Sequence, residues 1–581
     1  MSTLQKSAIR ASLLTGAGYL ALVLGTGSAY AQACTVNPAG GATSTECGIN
    51  ANAPAAGATA VGNSAVANGV DAVAVGSDDA GVNPAQAIGP STTAIGGESI
   101  ANTPGATALG WQARATGAMA TAVGHQTTAS GAQSFAGAED AIASGNNAIA
   151  IGNLSVASNG DSIAIGGNRD GAAGFATIAS GPSTTVVGGQ SSATAAGASA
   201  FGWRTNATGA FASALGHQAT ASGIQSIAIG EDSVADSYGA IALGSNNDDG
   251  TAAAGTGTGG QNAGANASGI DAISIGAGAI AMGNSTTSLG GESVSTTPGA
   301  TALGWQARAT GAMATAVGHQ TTASGAQSFA GAEDAVASGT NSIAIGNTAV
   351  ASGGDSIAIG GNRDGTMGIV TTAIGPSTTV VGGQAIANGP GATAYGWRSS
   401  ANAERATALG HLAVASGVRS VAIGEAAMAT ESRSIAIGDL AVANRENQVS
   451  IGTATNTYTL GGIASDASRA TQTGPLQALT TDANGNISGD GGALNRRLDG
   501  FADDIEDNRA GIAMALALDA PTVPHGHRFA LSGGVGTFEG EQAVAVSFSA
   551  RVNPNVQLNI GVGTGFSGDS LGGRAGATYS W

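Results

Sequence analysis

Four tryptophans each precede a histidine by fourteen residues in this chain of 581 residues. The pairs are Trp111 with His125, Trp203 with His217, Trp305 with His319, and Trp397 with His411. An exposed indole can stack on a sugar ring, and several imidazoles together can bind a metal ion or an anion. Each pair is therefore a candidate ligand-binding surface. The competing interpretation, which we favour, is structural: large aromatic side chains mostly act in packing, and each His follows its Trp because the sequence repeats.

Three loops rich in Asn and Asp, at 168–171, 245–250 and 362–365, carry the oxygen ligands that calcium prefers. Their spacing matches neither an EF-hand nor a calcium-binding nonapeptide, so ordinary turns explain them better. The histidines of the repeats have no Cys nucleophile or paired carboxylates beside them in sequence. We therefore expect no enzymatic activity, and no resident metal or cofactor.

The spacing of the Trp–His pairs is the period of a sequence repeat. The phrase Ile-Ala-Ile-Gly recurs, and within it Ile163 and Ile165 alternate with Ser162 and Ala164. This alternation predicts a short strand with one buried face, and segments rich in Gly and Asn predict the corners. A repeat of about fourteen residues is too small to bury its own apolar face, so copies must stack. The sequence therefore predicts a parallel β-solenoid, or β-roll, in which each His lies one coil beyond its Trp.

A longer duplication overlies the short repeat. Residues 104–141 recur letter for letter at 298–335, and a weaker relation links the two halves of each block. We place the head at 32–443, with duplicated blocks at about 83–250 and 277–444.

The targeting signal and the charge indicate an exported protein that does not bind nucleic acid. Lys6 and Arg10, an apolar run and Ala29-Tyr30-Ala31 predict a cleaved signal peptide at 1–31. Its removal takes the formal net charge from −18 to −20 and leaves no lysine, which argues against nucleic acid as a partner. Cys34 and Cys47 are the only cysteines in an exported chain, and we favour a disulfide over a metal site.

The C-terminal segment alternates between apolar and polar residues over four stretches of about ten residues, which is typical of transmembrane barrel strands. The apolar positions are Phe529, Leu531, Gly533 and Val535; Val544, Val546, Phe548 and Ala550; Val556, Leu558, Ile560, Val562 and Phe566; and Ala575, Ala577, Tyr579 and Trp581. Four strands cannot close a barrel, and an open sheet edge in lipid would leave backbone groups unpaired. Several chains must therefore share one barrel.

A helical stripe precedes these strands. Its positions are alternately three and four apart, as in a short coiled coil: Leu498, Phe501, Ile505, Asn508, Ile512 and Ala515. We predict a coiled-coil stalk at 493–520. One such helix from each chain could fill the pore, because the lumen-facing positions of the strands are small.

The order of these parts resembles the trimeric autotransporter adhesins, the YadA-like family of Gram-negative bacteria. The repeats resemble the family's β-roll head, and residues 521–581 resemble its anchor, to which three chains give four strands each. The segment 444–452 resembles the neck motif of the family, which joins head to stalk. The residues that carry this resemblance are Asn444, Arg445, Glu446, Asn447, Val449, Ile451 and Gly452. Two departures are the short stalk and the segment 458–495, which instead predicts a β-turn around Asn484-Gly485.

The resemblance implies a mainly β homotrimer: a left-handed parallel β-roll head, a neck and connector at 444–492, the stalk and a twelve-stranded outer-membrane barrel. It further implies an anion bound at Asn508, insertion by the barrel-assembly machinery, self-translocation of the head, and attachment to matrix proteins, glycans or other cells. The alternative function is a passive surface coat, which the strong negative charge would serve through repulsion and hydration.

Overall fold

The computed structural model describes residues 34–36, 43–77, 83–168, 175–246, 264–362, 369–566 and 570–581. The predicted signal peptide and most residues of the three calcium-loop candidates lie outside this part of the chain. Two compact units are present, one up to Asn456 and one from Thr457 to Trp581.

The first unit is a parallel β-solenoid, as the repeat predicts, with two short strands in each coil. The longer sheet consists of Thr45–Cys47, Thr59–Val61, Val73–Val75, Thr93–Ile95, Thr107–Leu109, Thr121–Val123, Phe135–Gly137, Ile149–Ile151, Ile163–Ile165, Thr185–Val187, Ser199–Phe201, Ser213–Leu215, Ile227–Ile229, Ile241–Leu243, Ile273–Ile275, Thr287–Leu289, Thr301–Leu303, Thr315–Val317, Phe329–Gly331, Ile343–Ile345, Ile357–Ile359, Thr379–Val381, Thr393–Tyr395, Thr407–Leu409, Val421–Ile423, Ile435–Ile437 and Val449–Ile451, with Thr35–Val36 antiparallel to its first strand.

Strands of two residues form the second sheet. They are Val66–Ala67, Gln86–Ala87, Ile100–Ala101, Arg114–Ala115, Thr128–Ala129, Ile142–Ala143, Val156–Ala157, Ile178–Ala179, Ser192–Ala193, Asn206–Ala207, Thr220–Ala221, Val234–Ala235, Asn266–Ala267, Ile280–Ala281, Val294–Ser295, Arg308–Ala309, Thr322–Ala323, Val336–Ala337, Val350–Ala351, Thr372–Ala373, Ile386–Ala387, Ser400–Ala401, Val414–Ala415, Met428–Ala429 and Val442–Ala443. Each pairs in parallel with the strand one coil further along.

The interior of the solenoid holds the small residues of the repeat. Ser162 and Ala164 are fully buried, whereas Ile163 is half-buried and Ile165 is 37% exposed. The Ser162 hydroxyl donates to the Asn159 carbonyl oxygen at 2.6 Å, so this polar group is satisfied inside. A coil of two short strands leaves room only for such side chains between its sheets, and the isoleucines consequently line the outside.

Glycine occupies the corner after nearly every parallel strand of the longer sheet, and at the two exceptions Ala138 and Ala332 take the corner with φ of +81° and +82°. Gly110 has φ of +132°, and a Cβ atom on it would overlap the carbonyl oxygen of Gly124 in the next coil. The same arrangement recurs along the stack, for example at Gly152 against Gly166. The Gly of the repeated phrase therefore sets both the corner and the close approach of neighbouring coils.

Inserted segments lengthen a loop without adding a coil. Four strand pairs are joined directly across such inserts: Val73–Val75 with Thr93–Ile95, Ile163–Ile165 with Thr185–Val187, Ile241–Leu243 with Ile273–Ile275, and Ile357–Ile359 with Thr379–Val381. At the other end, residues of the predicted neck form the last coil, because Val449–Ile451 pairs with Ile435–Ile437. The predicted disulfide between Cys34 and Cys47 is confirmed.

The second unit contains two helices, a hairpin and a four-stranded sheet. Helix α1 spans Asp466–Ala470 and helix α2 spans Ala493–Ala517. Leu479–Thr481 and Ile487–Gly489 pair as an antiparallel hairpin, and Gly485 in its turn has φ of +78°, as Asn484-Gly485 predicts. The antiparallel anchor sheet has strands Phe529–Phe538, Glu541–Asn553, Val556–Gly565 and Leu571–Tyr579, which we call anchor strands one to four.

Candidate functional site

The Trp and His rings of each predicted pair stack. The ring centroids are 4.8 Å apart for Trp111 and His125 and for Trp305 and His319, and 4.9 Å apart for Trp203 and His217 and for Trp397 and His411. The interplanar angles lie between 4° and 18°. Each Trp follows a corner glycine, so its ring stands on the edge of the solenoid and meets the His at the same position of the next coil.

A glutamate completes each pair, and the sequence analysis missed it. His217 Nδ1 lies 2.8 Å from a carboxylate oxygen of Glu231, which occupies the same corner one coil further on. The other three distances from His Nδ1 to Glu are 3.5 Å at Glu139, 3.5 Å at Glu333 and 3.1 Å at Glu425. A second step of fourteen residues from each Trp would have found these glutamates. The result is a Trp–His–Glu ladder at four places on the surface.

The four ladders are evenly spaced. Following the strand pairing from Thr107–Leu109 to Ser199–Phe201 takes six steps from coil to coil, and six more lead to Thr301–Leu303. With about 4.8 Å between parallel strands, Trp111 and Trp203 stand about 29 Å apart along the stack. The inserts do not disturb this spacing, because they add no coil.

The ladders differ in the residue that follows the Trp. The guanidinium carbon of Arg204 lies 4.2 Å from the centroid of the Trp203 ring, and that of Arg398 lies 4.4 Å from Trp397. At the other two ladders this position holds Gln112 or Gln306, and Trp111 and Trp305 are 42% and 44% exposed. Within the described ranges, no group of three or more His, Cys, Asp and Glu side chains is placed to hold a metal ion.

The anchor sheet has an apolar outer face. Leu531 is 72% and Val535 80% exposed, and the other predicted outward residues are also exposed or half-buried: Phe529, Val544, Val546, Phe548, Leu558, Ile560, Tyr579 and Trp581. Phe529 and Phe548 stack across strands one and two, with centroids 5.5 Å apart. Such a continuous apolar face on one side of a sheet is suited to lipid. No helix in the described part of the chain is both long and apolar enough to span a membrane.

Helix α2 lies on the opposite, small-residue face of the sheet. Its Ala510, Ala513, Met514 and Ala517 are buried, and they lie against glycines of the strands such as Gly536, Gly565 and Gly572. Ser547 and Asn559 on this face are also buried. The expectation that small residues on the lumen side leave room for a helix therefore matches the packing within one chain.

The predicted coiled-coil positions form the other side of α2. Leu498, Phe501, Ile505 and Ile512 are between 43% and 54% exposed. At 100° per residue, this stripe lies roughly opposite the buried residues of the same helix. One chain therefore gives α2 a packed face toward its own sheet and leaves an apolar face uncovered.

Comparison with known proteins assigns both units. The sequence profile of the YadA-like membrane anchor domain matches residues 521–581. The profile of the YadA head domain repeat matches residues 48–78, 87–113, 115–136, 143–168, 179–205, 207–230, 221–247, 281–307, 309–330, 337–362, 373–399 and 401–427, which together make up more than half of the chain.

Among solved structures, the collagen-binding domain of the Yersinia adhesin YadA is 23% identical to the chain, covering 45% of this chain and 97% of that domain with a TM-score of 0.17. No curated protein matches. The family assignment therefore rests on the two profiles. The anchor lies in the outer membrane, and the head is displayed at the cell surface. With head repeats and anchor both matched, the chain belongs to the YadA-like family of trimeric autotransporter adhesins.

Proposed function

We propose that three copies of this chain form one adhesin, in which a shared barrel holds the protein in the outer membrane and the heads attach the cell to external surfaces. The observation that carries the proposal is the incomplete anchor. Strands one and four each pair on one side only within the described residues, while the outer face of the sheet is apolar. Unpaired strand edges cost several kcal/mol per backbone group in lipid, so neighbouring copies must supply the missing pairing.

The two faces of α2 support three-fold assembly. Three copies of the four-stranded sheet make a barrel of twelve strands, whose lumen is lined by the small-residue faces. Each helix would keep Ala513 and Ala517 against its own wall and turn Phe501 and Ile505 toward the other two helices. Burial of this apolar stripe between helices stabilises the trimer in the manner of a coiled coil.

The outside of the head offers a further surface for copies to share. The third residue of each strand in the longer sheet is almost always apolar, and many of these residues are exposed, including Ile95, Phe201, Leu289 and Tyr395. Soluble monomers rarely expose an apolar surface of this length. If these exposed third residues pack against the heads of the neighbouring copies, the trimer carries three sets of Trp–His–Glu ladders.

The mechanism of attachment is multivalent. A repeated head carried in three copies presents the same groups many times. Once one group is bound, the effective concentration of the others at the surface is raised, so weak contacts together give firm attachment. We further propose that the anchor serves in translocation of its own head, that the barrel-assembly machinery inserts it, and that the ligand is a matrix protein, a glycan or another cell.

Two measurements test this function. An unheated detergent extract should migrate on a gel at about three times the monomer mass, because a barrel closed by three chains resists dissociation. Cells that carry the chain with residues 33–444 deleted should keep the trimeric anchor and lose attachment to a matrix-coated surface. A monomeric, well-folded anchor would contradict the assembly, and unchanged attachment after the deletion would contradict the adhesin.

A passive coat is the second candidate, because the formal charge of −18 for the full chain favours hydration and repulsion between cells. The exposed side chains of Trp111 and Trp305 favour binding instead. Saturable adsorption of the full-length protein to a coated surface would support the adhesin, and a linear, non-saturating response would support the coat.

A further inference from the structure

The tryptophan corners of the head are of two kinds. We call those at Trp203 and Trp397 filled corners, because the next residue is an arginine whose guanidinium lies over the indole. We call those at Trp111 and Trp305 open corners, because the next residue is a glutamine. Over the described ranges, Arg204 and Arg398 are the only guanidinium groups placed over a tryptophan ring.

A filled corner shows which side of the indole takes the guanidinium. His217 stacks on the face of Trp203 that is turned to the next coil. Arg204 Nε donates to Gln190 Oε1 at 2.8 Å, and Gln190 belongs to the preceding coil. The guanidinium therefore lies on the face turned to the preceding coil, where a Cβ atom on Gly189 would come within 3.5 Å of the indole. The second copy repeats this with Arg398 Nε and Gln384 Oε1 at 2.7 Å.

An open corner differs from a filled corner at two positions, the residue after the Trp and the residue in the preceding coil to which that residue is hydrogen-bonded. Gly97 lies beside Trp111 in the preceding coil, as Gly291 lies beside Trp305. Where the filled corner has the carboxamide of Gln190, the open corner has a carboxylate: Gln112 Nε2 donates to Glu98 Oε2 at 2.7 Å, and Gln306 Nε2 to Glu292 Oε2 at 2.6 Å. Both indoles remain more than 40% exposed.

We propose that each open corner binds the side chain of an arginine from a partner protein, in the position that Arg204 occupies at a filled corner. The exposed indole face attracts the cation, and the carboxylate of Glu98 or Glu292 accepts its N–H groups. The acidic chain raises the local concentration of basic partners around these sites. This inference rests on the proposed adhesive function and names the chemistry of one kind of ligand contact.

The spacing of the sites fits a multivalent contact. Trp111 and Trp305 are twelve coils apart, about 58 Å along the stack at about 4.8 Å for each coil. A cation over one indole is a weak contact by itself, so attachment requires several arginines engaged together. A partner with arginines spread along an extended or repeated surface meets this requirement.

The test uses cells that display the full chain and beads that carry one of two peptides. The peptides have the same Gly-Ser sequence with either arginine or citrulline, which has the same shape without the charge. We expect the arginine beads to bind and the citrulline beads to bind at least about tenfold less. The decisive variant is Q112R/Q306R, which places an arginine in each open corner and should abolish binding. Arg204 itself has φ of +55° at this corner, so the substitution suits the backbone.

Matched variants extend the test. W111A/W305A should lose bead binding, whereas W203A/W397A removes the same ring stack from the filled corners and should keep it. Converting filled corners to open ones with R204Q/Q190E/R398Q/Q384E should raise the number of bound beads about twofold, because each chain then has four sites in place of two. Migration of the unheated trimer and surface labelling show whether each variant is folded and displayed.

Equal binding of citrulline beads, or undiminished binding by Q112R/Q306R, would overturn the inference. Loss of binding in W203A/W397A to the same extent as in W111A/W305A would also overturn it, because the rings would then serve only the fold. Attachment of the same cells to a matrix-coated surface is measured in parallel. If attachment persists while arginine beads fail to bind, the adhesin proposal stands and the arginine site does not.

Discussion

Gly536 of anchor strand one lies directly under helix α2, where a Cβ atom would overlap the carbonyl oxygen of Ala513. Gly534 has the same relationship to Ala517, one turn further along the helix. The backbone of α2 therefore rests on the backbone of the strand, and only glycine permits this distance. In the barrel that we propose three chains share, three helices must fit inside twelve strands, so the thickness of each helix–sheet layer decides whether the lumen can hold them.

We accordingly expect Gly536→Val to destabilise the anchor by about 1–3 kcal/mol, the usual cost of overpacking. The unheated extract should show less trimer, and less of the head should reach the cell surface. Gly533→Val is the matched control, because Gly533 is on the outer face of the same strand and the nearest atom to its Cβ position is 3.9 Å away. Equal loss of trimer in both variants would mean that the helix does not occupy the lumen.

The fold could be predicted from the sequence wherever a single residue pattern determines both the secondary structure and the packing. The fourteen-residue period gave the coils, and the alternation of residues such as Leu531 and Ser532 gave the anchor strands. The side of the head strands that is buried was harder to predict. Isoleucine is the more apolar residue, yet Ala164 lies inside and Ile165 outside, because the thickness of the coil limits what fits.

The exposed stripe of α2 gives a second prediction. Ile505→Asp should dissociate the trimer, because it puts a charge where the three helices are proposed to meet without a partner for it. Glu506→Asp, one residue away and off the stripe, should leave the trimer intact. The readout is the fraction of trimer on an unheated gel across a temperature series. A trimer that survives Ile505→Asp unchanged would exclude the coiled-coil packing of α2.

Asp490 stabilises the first turn of helix α2 by hydrogen bonds. Its carboxylate accepts hydrogen bonds from the backbone N–H groups of Leu494 at 2.7 Å and Gly492 at 2.8 Å, and these lower the pKa of Asp490 below its ordinary value of 3.8. Because the pKa is lower in the folded state, this contribution is present above pH 3.8 and is lost as the pH falls through the folded value.

We therefore expect Asp490→Ala to increase hydrogen exchange in the first turn of α2 at neutral pH. The difference from the unmodified chain should shrink as the pH falls below 3.8. Asp503→Ala removes the same charge from a later turn of the helix and serves as the control. A difference that stays constant down to low pH would show that the ionised carboxylate is not the cause.

The ladders show what the sequence analysis could and could not find. The Trp–His stacks followed from the period alone, whereas Glu139 lies a second step of fourteen residues from Trp111 and the sequence interpretation stopped at the first step, His125. The difference between filled and open corners depends on the direction of a side chain. Arg204 turns toward Gln190 in the preceding coil, and residue types in one sequence do not fix that direction.

Asn508 offers a test of the predicted anion. It lies on the exposed stripe of α2, where three copies would meet in the trimer and place three amides around one point. Asn508→Val should raise the melting temperature of the trimer, because a buried polar layer is less favourable than an apolar one in a coiled coil. It should also remove any dependence of melting on chloride compared with a larger anion. Unchanged chloride dependence in Asn508→Val would place the anion elsewhere.

The corner glycines of the head give the last prediction. Gly152 has φ of +125°, and a Cβ atom there would overlap the carbonyl of Gly166 in the next coil. Gly160 is in the other corner of the same coil, and the nearest atom to its Cβ position is 3.8 Å away.

We expect Gly152→Ala to increase hydrogen exchange strongly in its own and the adjoining coils, and Gly160→Ala to change it little. In a solenoid each coil contacts only its neighbours, so the effect should fade within a few coils and leave the trimer intact. Loss of protection along the whole head would show that the coils unfold as one cooperative body.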